Sequence, residues 1–413
     1  MNTLSTTDNQ ARGPLSGLTV VDMTTSYAGP SASMYLADLG ADVVKVERPG
    51  QGDDARSWGP PFTDDTSVWF ASANRNKKSV VINLRDPKGV GVLHRLIGQA
   101  DVFMENLNPS KLRSLQVDHE TLSEKFPHLI YCALSGFGLD GPDSDLPGYD
   151  LVAQARSGIM SVTGPAGGDP QRVSAPLSDV VTGMCAALAI SAAAVRQAKS
   201  GVGEVIDVSL MDSDLAIMAP RIASFLAGEP DPAPSGGTDS VLAIYQSFPT
   251  ADRNIVVAIG NDQMWARFCS TIGLPELGQD HELQSNEGRR AHRDRIVREV
   301  SVPLRGRSAD EWLTRLQGES VPASLVKSLS EVVADPHVRA RRAILPVPGS
   351  HNAHSVHSPF RLHSVPEPRN ERYPDLGADT ESELGRLGFS SSEIAALLGS
   401  GAVEGPKKVG EPV

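Results

Sequence analysis

A short apolar run at Gly17–Asp22 (G-L-T-V-V-D) is followed by helical spacing over Ser31–Gly40 and a second apolar run at Asp42–Glu47 (D-V-V-K-V-E). Strand, helix and strand in so few residues predict a βαβ unit and a parallel sheet. Further strands are predicted at Val80–Leu84, Asp101–Glu105, Leu129–Ser135 and Gly203–Leu210, with helices over Pro87–Gln99, Leu151–Met160 and Met211–Leu226. This alternation is that of a doubly wound α/β sheet. The turn Met23–Pro30 falls at the carboxyl end of the first strand, where open sheets of this kind bind ligands. It lacks G-x-G-x-x-G, so a dinucleotide is not indicated. The longest apolar run, Val180–Val195, carries polar residues only at Thr182 and Ser191 and meets no charge until Arg196. It predicts a helix buried on most sides.

The pattern then changes. Gly228–Gly237 (G-E-P-D-P-A-P-S-G-G) is rich in proline and glycine and reads as a linker or mobile loop. Beyond it, strands at Leu242–Phe248 and Asn254–Ile259 and helices at Asp262–Ile272, Glu287–Val300 and Ser308–Leu316 form a smaller domain, residues 228–332. Irregular, histidine-bearing loops follow over Pro336–Pro368. Thr380-x-x-Glu383 and Ser390-x-x-Glu393 are capping-box signatures opening short helices. Residues 1–13 and 404–413 are expected to be disordered.

Composition narrows the function. At 413 residues, 40% hydrophobic and 21% charged, the chain is expected to be a soluble protein of two domains. A formal charge of -12 argues against nucleic acid or an anionic membrane surface as partner. Met1–Gly13 lacks the apolar core of a signal peptide, and Val180–Val195 falls short of the ~20 residues that cross a bilayer. Cys132, Cys185 and Cys269 are scattered singly, as in a reducing compartment, and a cytoplasmic location is expected. Against the acidic background, Lys45, Arg48, Arg56, Arg75, Lys77, Lys78, Arg85 and Lys88 cluster beside the presumed ligand edge. Asn74–Ser79 (N-R-N-K-K-S) is by composition a solvated surface run, and its position suggests phosphate binding. His351, His354, His357 and His363 lie in a serine-rich stretch with no acid between them, so they read as loop histidines and no metal site is expected. No H-E-x-x-H, G-x-S-x-G or Walker pattern occurs.

One acid stands out. In Q-R-V-S-A-P-L-S-D-V-V-T-G-M, Asp179 sits at the mouth of the long apolar run. It has two readings: an N-cap that accepts a backbone N–H at the positive end of the helix, or a partly desolvated nucleophile.

Taken together, Asp22–Glu47, Asn74–Ser79, Asp101–Pro109, Ser135–Pro142, Tyr149–Gly183, Gly201–Asp212, Tyr245–Phe268 and Leu376–Val403 resemble the family III coenzyme A transferases, the group of formyl-CoA and carnitine CoA-transferases. The resemblance implies a Rossmann-like large α/β domain with a parallel sheet, built from residues 14–227 and 333–403. A smaller α+β domain would be inserted between these parts, and two chains would interlock as rings in a homodimer. It places Asp179 on the family's nucleophilic aspartate, with Thr182 and Gly183 following as in the family. Tyr27, Ala28, Arg48, Ile82, Arg85, Asn106, Leu107, Tyr149 and Asp150 fall on positions lining the CoA site. Gly236 and Gly237 fall near a glycine loop that covers the active site in some members. The chain departs from the family at Leu107 and Ser110, where Phe and Gly are usual. The expected arginine is displaced to Arg113, with Ser114 in its place.

The resemblance implies CoA transfer from an acyl-CoA thioester to a free carboxylic acid through aspartyl anhydride and aspartyl-CoA thioester intermediates. CoA is then a substrate, and no permanently bound cofactor is needed. The neighbourhood of Ala258–Asp262 resembles members that act on small dicarboxylates. The alternative is an α-methylacyl-CoA racemase of the same superfamily. Such enzymes carry G-H-D where this chain has Gly148-Tyr149-Asp150, which counts against racemisation.

Overall fold

A computed structural model describes residues 13–363, 365 and 369–406. The chain forms two units. The larger comprises the described residues up to Ile159, Val173–Leu226 and Ala340 onward; the smaller is Met160–Arg172 with Ala227–Arg339. The sequence boundaries of 228–332 therefore differ from the smaller unit mainly in leaving Met160–Arg172 with the large domain. That segment belongs with the proline- and glycine-rich loop, since Gly236 donates its N–H to the Gly164 carbonyl at 3.0 Å.

The larger unit is built on β1 (Thr19–Met23), α1 (Ala28–Asp38), β2 (Asp42–Glu47), β3 (Lys77–Ile82), α2 (Pro87–Ile97), β4 (Val102–Glu105), β5 (Ile130–Ser135), α3 (Asp150–Arg156), α4 (Leu177–Ser200), β6 (Glu204–Ser209) and α5 (Leu210–Leu226). The order β3-β2-β1-β4-β5-β6 is all parallel, the doubly wound arrangement. Alternating side chains feed two cores. Val21, Val44, Val80, Phe103 and Tyr131 face one side, packed with Val92 and Leu96 of α2. Val20, Val43, Val102, Ile130 and Ile206 face the other, with Leu36 of α1 and Ala186 and Ile190 of α4.

The smaller unit holds a three-stranded antiparallel sheet of β7 (Tyr245–Pro249), β8 (Asn254–Ala258) and β9 (Ala323–Leu325), with β8 central. Its separate core includes Phe248, Ile255, Trp265, Phe268 and Trp312.

Several expectations are corrected. The helix expected over Leu151–Met160 breaks at Gly158, which has a φ of 87°, and a short helix resumes at Ile159. The apolar helix is longer than its apolar run, 24 residues, so the length argument against a membrane span does not hold for it. Nor is it buried on most sides. One face packs into the core through Thr182, Gly183, Ala186 and Ile190, while Leu188 is 72% and Val195 57% exposed.

The small unit's helices include α6 (Asp262–Thr271), α7 (Arg293–Leu304) and α8 (Ala309–Gly318), and toward the carboxyl end the larger unit adds α9 (Thr380–Arg386) and α10 (Ser391–Gly399). Ser390 and Glu393 form the expected capping box. Thr380 does not: it follows the N-cap Asp379, and its hydroxyl accepts the Val81 N–H at 3.1 Å. Val403–Glu404 form β10, paired antiparallel with Val81 and Ile82 of β3, so the tail expected from 404 begins in a strand. The rest of that tail beyond 406, and the expected disordered start other than Gly13, lie outside the described residues.

Candidate active site

The carboxyl edge of the parallel sheet gathers most of the candidate residues. Tyr27 and Ala28 end the β1 turn and open α1, Arg48 follows β2, Ile82 ends β3 with Arg85 three residues on, and Asn106 and Leu107 follow β4. The turn after β1 is fixed from two sides. Asn106 Oδ1 accepts the Thr25 N–H at 3.0 Å and its Nδ2 donates to the Thr25 carbonyl at 2.9 Å. Asp53 Oδ1 accepts the Ser26 N–H at 3.0 Å. The Tyr27 ring stands edge-on to Trp69, 5.5 Å between centroids. Arg113 lies in the last turn of the helix Pro109–Leu115 and is exposed.

The basic segment divides in a way that its composition does not reveal. Lys45, Arg75 and Lys77 are buried in ion pairs, so the run Asn74–Lys77 is interior rather than solvated surface. Lys45 pairs with Asp53 at 2.9 Å, Lys77 with Asp22 at 3.2 Å and Arg75 with Asp38 at 2.5 Å. Asp22 is fully buried, which alone would raise its pKa. Lys45, Lys77 and the hydroxyls of Ser33 and Thr24 outweigh burial and hold it below the ordinary carboxylate range. Lys77 also donates to the Pro30 carbonyl and Asn74 Oδ1, which satisfies its ammonium. These cations brace the turn instead of meeting a ligand, whereas Arg48, Arg85 and Lys88 stay exposed. Arg48 pairs with Asp54.

Asp179 reaches the same edge by topology. α4 leads into the amino end of parallel strand β6, so its own N-terminus lies toward the carboxyl edge. Gly183 lets α4 approach α1 closely. A Cβ there would stand 2.1 Å from Ser31 Oγ and 2.9 Å from the Ala28 carbonyl oxygen.

The N-cap reading of Asp179 is corrected. Position N-cap is Pro176, and Asp179 is the third residue of the helix. The capping carboxylate is supplied by α3: Asp150 Oδ1 accepts the Ser178 N–H at 2.8 Å and the Asp179 N–H at 3.4 Å. Gln154 donates to Asp150 Oδ2 at 2.6 Å and accepts the Val173 N–H at 2.8 Å, tying the approach to α4 against α3. Asp150 is thus engaged with the helix that carries Asp179, while Tyr149 beside it is 63% exposed. Asp179 itself is half-buried. Burial first, then the carboxylates of Asp150 and Asp214, raise its pKa to about 7. A carboxylate so placed is under-solvated and crowded by other acids, a setting that favours attack on an electrophile.

Asp214, Ser178 and the Asp22 network were not singled out from sequence. Asp214 carried one cue, an acid at the head of the apolar run L-A-I-M. Gly236 and Gly237 belong to the smaller unit, are exposed and take φ of 67° and 86°. Among the described residues no group of three or more His, Cys, Asp or Glu is arranged to hold a metal ion.

Comparison with known proteins identifies the family. The family described as CoA-transferase family III matches residues 15–380. The chain is 37% identical over 399 residues to the human succinyl-CoA:glutarate CoA-transferase, covering 95% of this chain and 90% of that one. It is 35% identical over 341 residues to an acetyl-CoA:oxalate CoA-transferase of Acetobacter aceti, covering 82% and 87%. A crystal structure of a CaiB/BaiF family protein from Brucella suis superposes with a TM-score of 0.80 at 32% identity, covering 91% of this chain and all of that one. With the family match spanning nearly its whole length and relatives above 30% identity over most of it, the chain belongs to CoA-transferase family III and is a CoA-transferase.

Proposed function

We propose that this CoA-transferase moves CoA between small dicarboxylates, with succinyl-CoA as donor, using Asp179 as the nucleophile. The observation that carries the reading is the half-buried Asp179 carboxylate, raised to about 7, at the helix end facing the sheet's ligand edge. The curated relatives named for succinyl-CoA with glutarate, and for oxalate, support the dicarboxylate class.

Asp179 attacks the thioester carbonyl of the donor, giving an acyl-aspartyl anhydride and CoA thiolate. The thiolate attacks the aspartyl carbonyl of that anhydride, forming aspartyl-CoA thioester and releasing the donor acid. The acceptor carboxylate then attacks the aspartyl thioester, re-forming an anhydride and thiolate. Attack of the thiolate on the acceptor's acyl carbon yields the new acyl-CoA and frees Asp179. Splitting the exchange into balanced covalent steps is what a nucleophile supplies. Tyr27, Ala28, Ile82, Asn106 and Leu107 line the CoA arm, and Arg48 and Arg85 meet its phosphates. Oxyanion donors come from backbone amides. Within the smaller unit the Gly236 N–H is taken by the Gly164 carbonyl, so Gly236 does not serve as such a donor.

The enzyme works as a homodimer of interlocked chains in the cytoplasm. The exposed apolar side chains of Leu188 and Val195 support a partner surface, and free Cys132, Cys185 and Cys269 support a reducing compartment.

Succinyl-CoA assayed against glutarate, oxalate and a monocarboxylate tests the reading. Asp179→Ala is expected to lower transfer at least about 10³-fold with the fold retained. Hydroxylamine or borohydride should trap the wild-type adduct on the peptide containing Asp179. Substantial turnover by the variant, or an adduct on another residue, removes Asp179 from the mechanism.

A further inference from the structure

Behind Asp179 lies a carboxylate that the steps above do not use. Asp214, on α5, is 0% exposed. Ser178 Oγ donates to its Oδ2 at 2.8 Å and Ser157 Oγ at 3.3 Å, while its Oδ1 is buried with no hydrogen-bond partner. Ser178 is the residue before Asp179 and is itself fully buried. An acid kept in the interior with half its hydrogen-bonding capacity unmet is costly to the fold. A packing role alone would be served better by an apolar residue.

We propose that Asp214 is a positioning residue for the transfer reaction: through Ser178 it fixes the first turn of α4 and holds a second carboxyl group beside that of Asp179. The inference rests on the nucleophile reading of Asp179. Charged groups that act on Asp179 come from two of the elements packed on α4, Asp150 on α3 and Asp214 on α5. Of the others, α1 carries only Asp38, at its far end, β5 carries none, and Glu204 and Asp207 of β6 do not contribute. Asp150 cannot be removed cleanly because it also caps the helix through backbone amides. Asp214 touches α4 only through the Ser178 side chain among the bonds described, so its charge is separable from the helix's backbone bonding.

The test is the pH dependence of adduct formation on Asp179, followed by rapid quench and mass analysis of the Asp179 peptide with succinyl-CoA as donor. Wild type should form adduct with an acid limb near neutrality. Asp214→Asn, which keeps the shape and the Ser178 contact, should move that limb down by about half a unit to one unit. It should also lower the plateau rate several-fold, since a weaker base is a weaker nucleophile. Ser178→Ala keeps the charge but cuts the link. It should lower the plateau without moving the limb downward, and it serves if the Asp214 variant fails to fold. An unmoved limb and plateau in a folded Asp214→Asn protein overturns the proposal. No adduct on Asp179 in wild type overturns the nucleophile reading instead, so the two failures are distinct.

Discussion

At Asp179 the burial and neighbouring carboxylates that raise the side chain to about 7 also make its ionised form costly to the folded state. The group ionises near the ordinary aspartate value of 3.8 in the unfolded chain and at about 7 in the folded one. Between these values the folded state holds the extra proton. This contribution to stability is therefore present at low pH and lost as the pH rises through 7. Asp179→Asn is expected to be inactive yet more resistant to heat at pH 8, by about 1–2 kcal/mol once solvent around a half-buried group is allowed for. The gain should vanish near pH 4, and thermal melts at the two pH values check it. Identical melts at pH 8 would mean that the carboxylate carries no such burden. Asp179 was legible in sequence because a long apolar run isolates one acid. Its partners were not legible as such: the resemblance put Asp150 at the CoA site and Asp214 went unnamed, and only the packing of α3 and α5 on α4 brings these acids, 29 and 35 positions away, near it.

Two elements owe their placement to single residues. At Gly183, any side chain meets the α1 backbone, so Gly183→Ala should force α4 outward. A cost of about 2–3 kcal/mol in urea unfolding and a raised KM for acyl-CoA are expected, because the displaced contact adjoins Ala28. Wild-type stability and KM in this variant would show that the helices separate freely. In β2, Lys45 binds Asp53 and the Thr24 carbonyl with no exposure to solvent. Lys45→Met leaves Asp22 and Asp53 short of their cation and should cost about 3–5 kcal/mol by denaturant titration. A loss below 1 kcal/mol would mean that the remaining partners suffice. The strands themselves were readable from their apolar runs, Asp42–Glu47 to the residue. The burial of Lys45 and Lys77 was not, because a lysine that pairs in the interior has the same letter as one in solvent. The outward face of α4 was misread for a related reason: Leu188 and Val195 look like core residues in a list, and nothing in a single chain's periodicity says what will cover them.

For the whole molecule, that uncovered face is the point at which the proposed dimer is most open to test. Leu188→Asp is expected to weaken self-association, seen as a shift toward monomer in sedimentation velocity at micromolar protein; an unchanged distribution would place the interface elsewhere. The large unit draws on both ends of the chain, and β10 gives this a sharper form than a domain boundary could. The outer edge of β3 is closed by residues some 300 positions later: Ser79 N–H by Asp379, Val81 N–H by Thr380, and the last pairs by Val403 and Glu404. During synthesis, therefore, a ribosome must pass residue 404 before this seam can be sewn shut. Until then the nascent sheet presents an adhesive border to other chains. Stalled or prematurely terminated products lacking β10 should accumulate in inclusion bodies even though every residue proposed to act on substrate has already been made.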